Sequence, residues 1–195
     1  NGLKPVIYWL REDLRFYDNI ALTEAAKDNK KVILVYFSDY LEKKRNSAEG
    51  IWNINSFIEI SEKYKKNYGI DIQYYNCDPK KQLSELHKKF GITEVYINEI
   101  FDPVIKKKDN LLKNHFAGQI NFNIFNSNLL FDPESIKNNS GSYFKVYTPF
   151  WKNCLTKLSI RKPLKPPKEI HSFKDNSLNN HRDLVINNPA WANKL

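Results

Sequence analysis

The chain has 195 residues, of which 41% are hydrophobic and 14% aromatic: a globular composition, long enough for one domain with a sizeable core or one domain with a tail, with nothing to suggest two full domains. No apolar run is long enough to cross a bilayer as a helix, so a soluble protein is expected, with no membrane partner. The net charge of +9 fits contact with nucleic acid, but lysines spread over every predicted helix fit a solvated surface as well.

The elements follow in chain order. Pro5 to Leu10 is predicted as a first strand and Asn19 to Asp28 as a first helix, with Asp18 placed to cap it. Lys31 to Phe37 (KVILVYF) is a second strand, apolar on both faces as a covered parallel strand must be. A polar loop over Ser38 to Ser47 precedes a long helix, Ala48 to Tyr68, which Gly69 stops. Asp71 to Asn76 alternates as a third strand. Asp78-Pro79 opens the third helix and Gly91 ends it, Thr93 to Ile97 is the fourth strand, Pro103 to Phe116 is the fourth helix closed by Gly118, and Ile120 to Phe125 is the fifth strand. Five strands alternating with four helices through short turns predict an α/β fold: a three-layer, Rossmann-like domain whose parallel sheet has helices on both faces.

Beyond the sheet lies a loop rich in Asp, Asn, Ser and Gly from Phe131 to Tyr143, and Thr148-Pro149 has the form of a helix start, with the helix running to about Ile160. From Arg161 the text is proline-rich, then asparagine-rich, without periodicity. The expected organisation is an α/β domain over residues 1–160 and a surface-lying linker over 161–195. Asn1-Gly2 with no methionine in the chain reads as the start of a trimmed fragment. Cys77 and Cys154 lie far apart, with no CxxC and no histidine at ligand spacing, and read as reduced thiols of a cytoplasmic protein.

No GxGxxG after a strand, P-loop, GxSxG or HExxH occurs, and the four histidines have no metal spacing, so no catalytic residue and no metal ligand is assigned. The polar crossing after the first strand stands out instead. VIYWLREDLRFYDNIAL, from Val6 to Leu22, sets Arg11 and Arg15 among Asp13 and Asp18 at the carboxyl end of a strand, where open sheets hold ligands; the same spacing suits a structural ion-pair knot.

That stretch resembles the opening signature of the DNA photolyase and cryptochrome family. Gly141-Ser-Tyr-Phe-Lys-Val-Tyr-Thr-Pro-Phe-Trp151 is similar to the family's late motif, and Asn98 to Pro103 resembles its Asn-x-x-aromatic-acid-Pro turn. The resemblance implies strand order 3-2-1-4-5 and places this chain as the N-terminal α/β domain of a deoxyribodipyrimidine photolyase-like flavoprotein. By that resemblance the parent would be a photo-lyase active in DNA repair: reduced FAD in a helical, C-terminal FAD-binding domain, beyond this chain, would donate an electron to a cyclobutane dimer in damaged DNA. The chain ends before the Gly-Glu-x-x-Ala opening of that domain.

In many family members the α/β domain binds an antenna chromophore: a reduced folate, a deazaflavin or a flavin. A flat heterocycle needs aromatic walls and a few orienting polar groups. By position the cofactor-binding candidates are Arg11 after strand one; Tyr36, Phe37 and Asp39 at the end of strand two; Trp52 in the long helix; and Asn98, Glu99 and Phe101 after strand four. Each also has a structural reading: Tyr36 and Phe37 as core, Trp52 as helix packing, Asn98 as a turn former, Arg11 as part of a polar lock. Where folate-binding members carry Asn-Glu this chain has Val104 and Ile105, and where deazaflavin-binding members carry an arginine and an acid it has Gly50 and Ile100. Two rival readings are a cryptochrome-type blue-light sensor and a stand-alone nucleotide-binding α/β protein.

Overall fold

The computed structural model describes residues 4–11, 16–41, 48–126 and 164–178. The elements are β1 (Val6–Trp9), α1 (Ile20–Ala26), a 3-10 turn (Lys27–Asn29), β2 (Lys31–Phe37), α2 (Ser38–Leu41), α3 (Ala48–Tyr68), β3 (Ile72–Tyr75), α4 (Pro79–Phe90), β4 (Glu94–Asn98), α5 (Pro103–His115), β5 (Asn121–Phe125) and β6 (His171–Ser172). The sheet is parallel, in the order β3-β2-β1-β4-β5, with β6 paired to β2.

Alternation along each strand builds two cores. Ile7, Trp9, Ile33, Val35, Phe37, Val95 and Ile97 face one side, where Leu83 and Leu86 of α4 and Ile105 and Leu112 of α5 cover them. Val6, Tyr8, Val32, Leu34, Tyr36 and Tyr96 face the other, under Leu22 of α1 and Phe57, Ile60 and Tyr64 of α3. Both faces are thus buried, which is why β2 reads as an uninterrupted apolar run.

Helix ends follow local chemistry at α4, where Asp78 accepts from the Lys80 amide, Pro79 takes the first turn and Gly91 closes in the left-handed region at φ +69°. Two ends differ from expectation. The cap of α1 is Asn19, whose side chain accepts from the Leu22 amide; Asp18 has φ +54° and bonds the linker instead. α5 is capped at Phe116, two residues before Gly118. The first part of the expected polar loop, Ser38 to Leu41, is the short helix α2.

The expected five strands become six. Linker residues 164–178 run from one face of the sheet to the other. The Asp18 amide donates to the Leu164 carbonyl at 2.8 Å, the Tyr68 hydroxyl donates to the Pro167 carbonyl at 2.8 Å, and Ile170 enters the α1/α3 core. His171–Ser172 then pairs with Lys31 and Val32, at the edge of β2 below the point where Ile72, the first residue of β3, pairs with Leu34. Phe173 and Leu178 pack on the opposite core. The expected loop at 131–143 and helix at 148–160 lie outside the described residues.

Candidate functional site at the carboxyl end of the sheet

Arg11 lies two residues beyond the end of β1 at Trp9 and turns inward, its side chain fully buried. One guanidinium nitrogen, Nη1, donates to both carboxylate oxygens of Asp109 on α5, at 2.7 and 2.8 Å, and Nη2 donates to the Asn98 carbonyl at 2.5 Å. Nε is buried with no hydrogen-bond partner. The Tyr40 hydroxyl of α2 donates to the same Asp109 carboxylate at 2.6 Å. Burial first, and then this bond, push the Tyr40 hydroxyl pKa well above its usual value, so it stays a donor. The Trp9 ring lies beneath, 5.7 Å from the guanidinium carbon and edge-on to Tyr40 and Phe37. β1, β4, α2 and α5 are therefore joined at one point by a single charged cluster.

Asn98 at the end of β4 ties in the first helix. Its side chain accepts from the Ala21 amide at 3.1 Å and donates to Asn19 Oδ1 at 2.8 Å, while Asn19 donates to the Tyr8 hydroxyl at 2.9 Å. Glu99 next to it pairs with Lys106 at 3.2 Å, and its amide donates to the Phe125 carbonyl. Phe101 is 45% exposed, with the Lys106 ammonium 5.5 Å from its ring centre.

Of the residues proposed from position, Arg11, Asn98, Glu99 and Phe101 thus stand along the carboxyl ends of β1 and β4. Tyr36 and Phe37 are both in the core, on opposite faces of β2: Tyr36 packs on Phe57 and Tyr74, Phe37 on Trp9 and Tyr75, so neither ring is left open as a wall. Asp39 lies in α2 and Trp52 in α3; their side chains are outside what the structure describes, as are residues 12–15 with Asp13 and Arg15. Of the candidates described, only the ring of Phe101 is open to a flat ligand; Arg11 and Asn98 are buried beneath the surface. Among the described residues the fit to such a chromophore is therefore one open aromatic ring, without the aromatic pair from β2.

Asp109 and Tyr40 were not singled out from the sequence. The signal for Asp109 was present: Ile105, Asp109, Leu112 and Phe116 recur at helical spacing, so a carboxylate interrupts the buried stripe of α5 and needs a buried cation. A cavity of about 360 Å³ lies at the other end of the sheet, between β3 and the linker, lined by Lys65, Asp71, Gln73 and Phe173. It is separate from the Arg11 cluster. Among the described residues no group of three or more His, Cys, Asp or Glu side chains is arranged to hold a metal, and no helix is long and apolar enough to cross a membrane.

The family model for DNA photolyase matches residues 6–169. The deoxyribodipyrimidine photo-lyase of Agrobacterium fabrum is 30% identical over 193 residues, covering 96% of this chain and 40% of its own length. Cryptochrome-1 of Arabidopsis thaliana is 26% identical over 205 residues, covering 96% of this chain and 30% of its own length. The crystal structure of a class III photolyase from Agrobacterium tumefaciens superposes with a TM-score of 0.77 at 28% identity, over 90% of this chain and 36% of that one. The chain thus spans well under half the length of these relatives. Matched from β1 into the linker, and sharing its fold with a solved photolyase, this chain belongs to the DNA photolyase family.

Proposed function

We propose that this chain is the antenna and scaffold domain of a photolyase-like flavoprotein, with its boundary to the linker near residues 160–161. The observation that carries the reading is the cluster at the carboxyl ends of β1 and β4, where Arg11, Asn98 and Asp109 are bonded into one buried polar group and the chain leaving β4 exposes Phe101 three residues on. Arg11 and Asn98 would hold the strand ends in place, Phe101 would stack on a flat heterocycle, and Asp39, Trp52 and Glu99 would complete the wall. The bound chromophore, a reduced folate, deazaflavin or flavin, would supply light absorption; the chain's own part is to bind it, orient it and keep it dry. The partners in this reading are a FAD-binding helical domain of the same protein and, through it, damaged DNA. A photo-lyase activity belongs to that longer protein, and the proposed location is the cytoplasm.

The test is an absorbance and fluorescence titration of the 195-residue chain with a reduced folate, a deazaflavin, FMN and FAD in turn. Saturable one-to-one binding of one of them, weakened at least tenfold in Phe101→Ala, is the expected result. No binding of any of the four would reduce the domain to a scaffold, with Val104, Ile105, Gly50 and Ile100 as the reason.

A further inference from the structure

The two helical layers of this domain carry very different charge. On α1 and α3, acids and lysines are balanced: Glu24, Glu49, Glu59 and Glu62 stand against Lys63, Lys65 and Lys66. On α4 and α5 the only acids are Glu85 and Asp109, and Asp109 is buried against Arg11. Lysines of those two helices are all exposed. Lys106 is held by Glu99 and Lys108 donates to the Tyr40 carbonyl. That leaves Lys80, Lys81, Lys88, Lys107 and Lys113 with no ion-pair partner among the described residues, while Lys89 stands near the carboxylate of the linker's Asp175. A lysine-rich composition alone would load both layers alike. This asymmetry is therefore a property of one face.

We propose that the α4–α5 face is a docking surface for the phosphate backbone of double-stranded DNA, separate from the carboxyl-end cleft. α4 and α5 are roughly 18 and 20 Å long, and phosphates of one strand follow every 3.4 Å or so along the axis, so each helix is as long as about five to six of those steps. Lysines on flexible stems meet phosphates without reading sequence, so the contact gives affinity and orientation to undamaged duplex. Choosing DNA over another polyanion rests on the photolyase reading above.

The experiment is fluorescence anisotropy with a 30-base-pair undamaged duplex and the full 195-residue chain, from 50 to 200 mM salt. Two triple variants carry the same change in net charge: K81E/K88E/K107E on this face and K63E/K65E/K66E on α3. The first is expected to lose at least tenfold in affinity at 100 mM salt, with a salt slope shallower by about 3, and the second to lose less than threefold. The neutral triple K81Q/K88Q/K107Q is expected to fall between the first variant and the parent chain, and keeps the test valid if charge reversal impairs folding. Equal losses in the two reversed variants, no duplex binding by the parent chain at 50 mM salt, or tighter binding to phosphatidylserine vesicles than to the duplex would each overturn the proposal. Chromophore binding is measured on the parent chain: no chromophore binding with duplex binding present sinks the antenna reading alone, and chromophore binding with no duplex binding sinks this one alone.

Discussion

Arg11 and Asp109, 98 residues apart in sequence, form a buried ion pair at 2.7 Å that ties the end of β1 to the middle of α5. Replacing either side chain alone leaves its partner's charge buried without compensation. Arg11→Ala and Asp109→Ala are each expected to lower stability by about 3–5 kcal/mol, read as the urea midpoint, while the double variant Arg11→Met/Asp109→Leu loses less than either single. Singles within 1 kcal/mol of the parent, roughly the scale of a surface pair, would show the cluster to be dispensable.

Asn98 holds the amino end of α1 through Asn19 and the Ala21 amide. Asn98→Ala removes both bonds inside a dry site, and a loss of about 1–3 kcal/mol is expected. Faster hydrogen exchange at the Ala21 and Leu22 amides, with α4 unchanged, is the local signature to measure.

Two buried tyrosines set a limit on alkaline stability. Burial pushes the Tyr75 hydroxyl up to about 12 and raises that of Tyr40 further. In the unfolded chain both ionise near 10, so the native state keeps protons that the unfolded state gives up. Their contribution is complete below pH 10 and is lost progressively as pH rises from 10 to 12. The loss is up to about 1.4 kcal/mol per pH unit for each group. Urea denaturation of the parent and Tyr75→Phe at pH 8, 10 and 11 checks this: the variant is expected to fall less steeply with pH, and parallel curves would refute it.

Ile170 is 6% exposed in the α1/α3 core, although it belongs to the proline-rich stretch read as a surface linker. Ile170→Ala is expected to cost about 2–4 kcal/mol, as for a core aliphatic residue, and to speed exchange of the Phe173 amide bonded to Val32. A cost below about 0.5 kcal/mol, typical of surface positions, would return the segment to a passive role.

Elements written in short-range chemistry were legible in the sequence. β2 could be read from its apolar run, α4 from Asp78, Pro79 and Gly91, and α3 from its helical spacing with Gly69 after it; each matches the structure within a residue or so. Strand order 3-2-1-4-5 came with the family resemblance and is the order observed. Competition between neighbours was harder to read. Asp18 and Asn19 are both good caps, and the choice fell to Asn19 because Asp18 is drawn into the left-handed region and bonded to Leu164.

What the sequence by itself determined is the α/β pattern, because period, caps and stop residues act within a turn or a strand. Only the tertiary structure decided which groups meet at the end of the sheet. Arg11 had Asp13 nearby in sequence, yet it is Asp109 that α5 carries to its guanidinium once both helices of that face are seated. Tyr36 and Phe37 looked suited to a cleft wall, but their strand is covered on both sides, and close packing leaves neither ring a free face. The sixth strand had no signal of its own, since two residues carry no periodicity. It forms because β2 extends below the start of β3 and leaves Lys31 and Val32 an open edge that the returning chain satisfies.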